Sequence, residues 1–149
     1  SIYDMKKIIV LIAAALIMFV ACSKNNDNVN VEGSWHLTES SVLSNEVVDI
    51  WVSFSENKTF KLYQKSSDED RYASYDGTYS VNGNKLTGKY SDGTSWGGIY
   101  SAELSENGNT LTLTAGKEIS TYTKTEIPSS VSSSTYTTKA GHGKAGRWL

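Results

Sequence analysis

The sequence predicts an all-β domain of antiparallel strands over residues 31–127. Apolar and polar residues alternate with period two through most of this stretch, as they do in strands with one buried face. Short turn signals such as Asn82-Gly83 and Asn107-Gly108 separate the alternating runs, and such pairs accept the positive φ that tight hairpins require. The segment shows no helical period long enough for a crossover, and strands joined by turns this short must be antiparallel.

The alternating runs number about eight and follow one another directly, which predicts an up-and-down meander. Closing this meander into an eight-stranded barrel removes the two unpaired edges that an open sheet would expose. Alternation places five large aromatic side chains on inward faces, namely Trp35, Phe54, Tyr79, Trp96 and Tyr100. Three glycines share those faces, where we expect them to relieve crowding or to allow sharp bends, namely Gly77, Gly88 and Gly98.

An export signal is predicted for residues 1–21, ahead of the barrel. Lys6 and Lys7 follow Met5, the expected start, and residues 8–21 form an unbroken apolar run of fourteen. A membrane span needs about 20 apolar residues, so this run fits the helical h-region of a signal peptide. Residues 1–4 precede the expected start and are set apart from the signal, with a non-native origin and a misplaced start as the two alternatives.

The apolar run ends in Phe19-Val20-Ala21-Cys22, which resembles the lipobox read by the lipoprotein signal peptidase. Ala21 and Cys22 match that motif, whereas Phe19 stands where Leu is usual. The resemblance implies that Cys22 becomes the first residue of the mature protein and carries a diacylglycerol thioether. Several acyl chains anchor a protein stably, since each buried CH₂ contributes about 0.8 kcal/mol. An ordinary signal peptide with a chance cysteine is the alternative.

The segments on either side of the barrel lack apolar periodicity. Residues 22–30 are polar and rich in Asn, which predicts a disordered tether next to the lipid. Residues 128–149 are rich in Ser and Thr and then in small and basic residues, which predicts a disordered tail. The tip, residues 139–149, is left out of the fold prediction because the sequence does not show whether it is native. The expected location is the cell envelope, with the lipid in the outer membrane and the face of that membrane left open.

Four motifs follow one another along residues 31–127: Gly33-Ser34-Trp35, Val52-Ser53-Phe54 before 57–60, 76–81 and 108–113. The first is similar to the G-x-W signature of lipocalins, and the whole stretch resembles the small lipocalin-like lipoprotein domains of Gram-negative gut bacteria. The resemblance implies a lipocalin-like eight-stranded barrel with an apolar interior that holds a small ligand. The stretch is short for a lipocalin. The alternative is therefore a barrel that is filled by its own side chains, in which Trp35 closes the floor.

The sequence predicts neither an enzyme nor a metal or cofactor site. The one cysteine is taken by lipid, and the two histidines, His36 and His142, lack the partners that a triad or a zinc site needs. A single cysteine also excludes an intramolecular disulfide. Residues 31–127 carry eight Lys and Arg against fourteen Asp and Glu, a net charge of −6, which argues against nucleic acid as a partner.

Two functions remain open on these grounds. The first is a membrane-anchored, monomeric, non-enzymatic binding protein whose small apolar or amphipathic ligand contacts the five inward aromatic residues, with tyrosine hydroxyls fixing its orientation. The second is a solid barrel that serves as a structural or interaction module of the cell envelope. In that case its outer face, with Trp51 and Tyr63, contacts a protein or a glycan.

The predicted anchor can be tested by replacing the lipidated residue. We expect the parent protein to fractionate with membranes, and Cys22→Ala to be soluble or to stay uncleaved, because alanine cannot form the thioether. The measurement is membrane fractionation combined with the mass of the processed chain. Equal membrane association and equal cleavage of both forms would contradict the prediction.

Overall fold

The computed structural model describes residues 28–42, 47–137 and 146–149. Within them it has nine strands and one short helix: β1 (Gly33–Ser40), β2 (Val47–Phe54), β3 (Thr59–Ser66), β4 (Tyr72–Asn82), β5 (Lys85–Tyr90), β6 (Tyr100–Leu104), β7 (Thr110–Ala115), β8 (Glu118–Lys124), α1 (Ser129–Ser132) and β9 (Thr135–Thr137). The predicted signal peptide, Cys22 and the tether up to residue 27 lie outside the described residues. In the described part of the chain, no helix is long and apolar enough to cross a membrane.

The first eight strands form a closed barrel. Each strand pairs with the next along the chain, β1 pairs with β8, and β3 pairs with β4, so the ring has no gap in its order. All of these pairings are antiparallel. The prediction of an all-β, up-and-down, eight-stranded antiparallel barrel is therefore confirmed.

Two of the predicted turns illustrate why the hairpins form where they do. Gly83 between β4 and β5 has φ of 63°, and Gly108 between β6 and β7 has φ of 73°. Residues with a Cβ rarely adopt this left-handed conformation, whereas glycine adopts it without a steric penalty. The glycines therefore allow the chain to reverse within a few residues and hold neighbouring strands in antiparallel register.

The inward-facing side chains form one continuous core. Burial of each large apolar side chain contributes about 1.5–3 kcal/mol, and ten of them are almost inaccessible to solvent: Trp35, Tyr122, Phe60, Ile50, Leu62, Leu86, Leu111, Leu113, Val31 and Val52. They come from strands all around the ring as well as from the segment that precedes β1. This convergence on the barrel axis is what period-two alternation predicts for a small closed barrel.

One end of the barrel is closed by Trp35 and by the segment before β1. Trp35 is fully buried, and its indole N–H donates a hydrogen bond to the carbonyl oxygen of Val31, 2.8 Å away. The ammonium group of Lys124 lies 5.5 Å from the centre of the Trp35 ring, a position in which a cation is attracted to the aromatic face. The inward orientation predicted for Trp35 is confirmed.

Trp96 is buried as predicted, although it does not lie on a strand. β6 begins only at Tyr100, and the preceding loop folds back along β5, where the backbone N–H of Trp96 donates to the carbonyl oxygen of Gly88 at 2.9 Å. A Cβ on Gly88 would lie 2.1 Å from the Trp96 ring. The indole therefore fills the space that a side chain at Gly88 would take. The loop can lie along β5 here because β5 and β6 share only the pairs Lys85↔Ser101 and Leu86↔Tyr100.

The other two glycines predicted on inward faces have different environments. A Cβ on Gly77 would lie 2.0 Å from the carbonyl oxygen of Lys89, so its missing side chain lets the β4 and β5 backbones approach closely. A Cβ on Gly98 would have the Ala115 Cβ as its nearest neighbour, at 3.7 Å. Gly98 is thus the position of the three at which a side chain has room.

The predicted disordered tail is wrong for residues 128–137 and 146–149. Helix α1 follows Pro128, and β9 pairs in parallel with the start of β4, from Tyr72↔Thr135 to Ser74↔Thr137. Strand β5 pairs only with residues 77–82 of β4, so β9 covers an edge that β5 leaves unpaired. A strand of three residues has too few positions for alternation to indicate it, which is why the sequence pattern does not reveal β9.

The packing of Trp96 against Gly88 can be tested with a pair of glycine variants. We expect Gly88→Ala to lower the free energy of unfolding by about 1–3 kcal/mol, because the added methyl group overlaps the indole. Gly98→Ala is the control, and we expect it to be neutral or slightly stabilising because the new Cβ meets open space. Denaturant midpoints measure both changes, and equal midpoints for the two variants would contradict the assigned position of Trp96.

Candidate functional site

The end of the barrel opposite Trp35 is lined by tyrosines and one glutamine. We call this end the mouth and define it by the inward side chains of Gln64, Tyr75, Tyr90, Tyr100 and Tyr122. All five are buried, with exposed fractions of 8% or less. The mouth therefore combines apolar ring surface with hydroxyl and amide groups that can form hydrogen bonds.

Residues 146–149 occupy the mouth. The indole N–H of Trp148 donates to the hydroxyl oxygen of Tyr122 at 2.7 Å, and the hydroxyl of Tyr90 donates to the backbone carbonyl oxygen of Leu149 at 2.6 Å. Leu149 is 4% exposed and belongs to the main core cluster, against which Trp148 also packs. The mouth thus holds two apolar side chains and satisfies the polar atoms that accompany them.

Gln64 binds this segment through both atoms of its side-chain amide. Its Nε2 donates to the carbonyl oxygen of Gly146, and its Oε1 accepts a hydrogen bond from the backbone N–H of Trp148 at 2.8 Å. Both partners are main-chain groups, and they flank Arg147. Because Gln64 is only 5% exposed, its amide depends on these partners, since an unpaired buried amide costs about 1–3 kcal/mol.

Arg147 lies on the aromatic rim of the mouth. Its guanidinium carbon is 3.8 Å from the ring centre of Tyr90 and 5.9 Å from that of Tyr75. Its Nη1 donates to Oδ2 of Asp92 at 3.0 Å. Hydrogen bonds from Thr94, followed by that from Arg147, hold the pKa of Asp92 below its usual value. The rim therefore presents an ionised carboxylate and two ring faces to a cation.

The phenol groups of Tyr90, Tyr100 and Tyr122 stay protonated at neutral pH. Burial, together with the nearby carboxylate of Glu118, raises the pKa of Tyr100 to about 12. Burial likewise raises the pKa of Tyr90 and of Tyr122 above the usual value for tyrosine. A protonated phenol both donates and accepts hydrogen bonds, so these groups suit a ligand with polar atoms as well as apolar surface.

Two pockets adjoin the mouth and the loop between β5 and β6. One has a volume of about 540 Å³ and lies between residues 97–100, the β7–β8 turn and residues 147–149. The other has a volume of about 520 Å³ and extends over the β4–β5 wall beside Trp96. Gly98 and Ile99 border both pockets, so these two residues lie between them.

The comparison with known families agrees with this architecture. A family model of the lipocalin-like domain matches residues 31–113, from the segment before β1 into β7. The chain belongs to the lipocalin-like domain family. No curated protein and no solved structure matches it. Lipocalin-like barrels in general bind small ligands, and the family is generally non-enzymatic.

The five residues predicted to contact a ligand do not form one pocket in the lipocalin-like barrel. Phe54 contacts Tyr79 with ring centres 4.9 Å apart, and Trp96 lies 6.3 Å from Phe54 and 5.9 Å from Tyr100. These four rings run from the closed end towards the mouth. Trp35 lies at the closed end, bonded to the backbone, and of the five only Tyr100 borders the pocket beside residues 147–149. Their role in ligand binding stays a prediction.

Sequence reasoning missed most of the mouth. Alternation indicates inward positions for Tyr75 and Tyr90, yet the predicted site did not include them. Gln64 is polar, so hydrophobic periodicity does not mark it as buried, and Tyr122 stands in the most polar of the predicted strands. Residues 146–149 have no periodicity at all. The signal that could have found Gln64 is its position two residues after Leu62, on the same face of β3.

The outer face proposed for a partner is covered by the chain itself. Trp51 and Tyr63 are 6% and 7% exposed, and they pack against Val131, which is 4% exposed. The prediction that this pair forms an open contact surface is therefore wrong. Apolar side chains on the outside of a barrel need cover, and the segment that includes α1 supplies it.

A polar cluster borders this covered patch. His36 faces outward, stacks on Trp51 with ring centres 3.8 Å apart, and places its Nε2 2.6 Å from Oδ1 of Asp49. Asp49 also accepts hydrogen bonds from the Trp51 indole and the Tyr72 hydroxyl. Burial opposes the ionised form, but the hydrogen bonds from Tyr72, His36 and Trp51 lower the pKa of Asp49. The described residues contain no group of side chains that could hold a metal ion.

The hold of the mouth on residues 146–149 can be tested with two matched tyrosine variants. Tyr90→Phe removes the hydroxyl that donates to Leu149, and we expect a loss of stability of about 0.5–1.5 kcal/mol with faster hydrogen exchange at the Trp148 amide. Tyr79→Phe removes a similar hydrogen bond, from Tyr79 to the carbonyl oxygen of Ser55. That control should lose comparable stability and leave the Trp148 amide protected. Unchanged exchange in Tyr90→Phe would show that the hydroxyl does not hold the segment.

Proposed function

We propose that the protein is a lipid-anchored, non-enzymatic binding protein of the cell envelope whose barrel mouth holds a small amphipathic ligand. The observation that carries the proposal is the occupancy of the mouth by Trp148 and Leu149. The site accepts apolar side chains and at the same time bonds the polar atoms attached to them through Tyr90, Tyr122 and Gln64. A ligand with an apolar body and a few polar atoms would satisfy the same groups.

The choice of an amphipathic over a purely apolar ligand follows from the buried polar groups. The amide of Gln64 and the hydroxyls of Tyr90 and Tyr122 are all in buried residues. A hydrocarbon placed against them would leave these groups unpaired, and each would cost about 1–3 kcal/mol. An amphipathic molecule avoids that cost and still removes its apolar surface from water, at about 25 cal/mol per Å².

The anchoring part of the proposal is supported by the sequence. The apolar run of residues 8–21 and the lipobox-like ending at Cys22 are the features of an exported lipoprotein precursor. The domain then begins within ten residues of the lipid, which would keep the barrel close to the membrane surface. Outer-membrane attachment and a monomeric state are part of the same proposal.

A solid structural module is the second candidate, because much of the interior is filled by the protein's own side chains. Trp35 closes one end, and Trp96 occupies the space that Gly88 leaves on β5. In that case residues 146–149 would be a permanent part of the core, and no ligand would enter. The two candidates differ in what happens at Gly98, a glycine of the loop before β6 that has open space beside it.

The test uses Gly98→Leu and an amphipathic probe, a dansyl-labelled fatty acid. We expect the parent protein to bind the probe and enhance its fluorescence, and Gly98→Leu to bind it at least about tenfold more weakly with its stability changed by less than about 0.5 kcal/mol. Gly98→Ala is the control and should retain binding, since one methyl group fills little of the pocket.

A different result would favour the solid module. If the parent protein fails to bind the probe, and if Gly98→Leu loses about 1–3 kcal/mol of stability, the space beside Gly98 is part of a packed core. That pair of results would contradict the binding proposal. Thermal or denaturant unfolding and the fluorescence titration are to be made on the same preparations, so that loss of binding is separated from loss of fold.

A further inference from the structure

We infer that the mouth of the lipocalin-like barrel is a peptide-binding site that takes an extended basic–aromatic–aliphatic sequence, of the kind that Arg147, Trp148 and Leu149 present. The inference rests on the proposed function, because it names the chemistry of the ligand held at the same mouth. It goes beyond that proposal by selecting a peptide over a lipid-like molecule. Three sets of contacts lead to it, one to the backbone and two to side chains.

The backbone contact is made by the amide of Gln64. Its Nε2 donates to the carbonyl oxygen of Gly146 and its Oε1 accepts from the N–H of Trp148. A main-chain residue of a neighbouring strand makes the same pair of bonds to the groups that flank one residue of an added strand. Carbonyl and N–H groups at this spacing occur in every peptide and in no fatty acid, so Gln64 recognises a peptide backbone.

Burial makes this contact selective. Gln64 is 5% exposed and lies on the inward face of β3. Buried amides need both a donor and an acceptor as partners, and a ligand with polar atoms of only one kind leaves half of this amide unpaired. The hydroxyl of Tyr90 adds a third bond to the main chain, at the carbonyl oxygen of Leu149. Three main-chain groups of the segment are thus bound by two side chains of the barrel.

The first side-chain contact is a binding site for a cation. The guanidinium of Arg147 lies 3.8 Å from the ring centre of Tyr90 and bonds the Asp92 carboxylate at 3.0 Å. A planar cation stacks on an aromatic face and donates to a carboxylate at the same time, which an aliphatic group cannot do. The acidic balance of residues 31–127 further favours a ligand with positive charge.

The second side-chain contact is a pair of sites for an aromatic and an aliphatic residue. The indole N–H of Trp148 donates to the hydroxyl of Tyr122, which is almost fully buried. Leu149 is 4% exposed and packs within the main core cluster. Three consecutive residues therefore meet a charged rim, a hydrogen-bonding ring pocket and an apolar interior, in that order.

The test adds a peptide to the full-length chain with its own occupant weakened. The receiver is the double variant Trp148→Ala/Leu149→Ala, and the probe is a fluorescein-labelled Gly-Arg-Trp-Leu peptide followed by fluorescence anisotropy. We expect the double variant to bind the probe at least about tenfold more tightly than the parent, where the tethered segment competes at an effective concentration of order mM. Near-UV circular dichroism checks that the receiver keeps its native core.

Two matched changes examine the recognition itself. Gln64→Leu in the same receiver keeps a side chain of similar size and removes both hydrogen bonds of the amide, so we expect peptide affinity to fall at least about tenfold. Replacing Arg by Asp in the probe places a second carboxylate beside Asp92, and a comparable loss is expected. If the double variant does not keep its fold, the single variant Arg147→Ala, which leaves Trp148 and Leu149 in place, serves as the receiver.

The outcomes separate the peptide inference from the broader binding proposal. A folded receiver that binds the dansyl fatty acid but not the peptide at about mM concentration overturns the peptide inference and leaves small-ligand binding intact. A folded receiver that binds neither probe overturns both. Peptide binding that is unchanged by Gln64→Leu also overturns the inference, because recognition would then not involve the backbone.

Discussion

Closure of the ring is the constraint on which the rest of the structure depends. Once β1 pairs with β8 and β3 with β4, every second side chain points at a common axis, and the interior of an eight-stranded barrel is just wide enough for those side chains or for one small ligand. Each inward residue must therefore complement those around it. The indole of Trp96 above Gly88 is the clearest case, since a large group from a loop is admitted only where the strand has none.

The same constraint divides the interior into two chemically different halves. At the closed end, Trp35 and the aliphatic residues around it are satisfied by packing and by one bond to Val31. At the mouth, hydroxyl and amide groups lie among the rings, and buried polar groups of this kind require partners. A barrel whose closed end is fully packed, and whose mouth has polar groups that need partners, is suited to binding. Here residues 146–149 supply that occupant from within the chain.

Sequence patterns predict the barrel better than they predict its site. Alternation and glycine turns depend on local backbone geometry, so the strands and the burial of Trp35, Phe54 and Tyr79 follow from them. Apolar–polar alternation does not predict the burial of Gln64, because this burial is stabilised by hydrogen bonds to residues about eighty positions away. No local sequence rule indicates such a partner. Trp51 and Tyr63 mislead for the related reason that their cover, Val131, also comes from a distant segment.

Strand β9 has a consequence for how the protein behaves before it is fully folded. The N-terminal part of β4 extends beyond β5, and the three pairs with β9 cover residues 72–74 on that side. Until β9 docks, this stretch is an open edge on which a strand from any other molecule can add. Docking within the chain is independent of concentration, whereas addition between molecules is not. Newly synthesised chains at high local concentration would therefore be the ones at risk of assembling edge to edge.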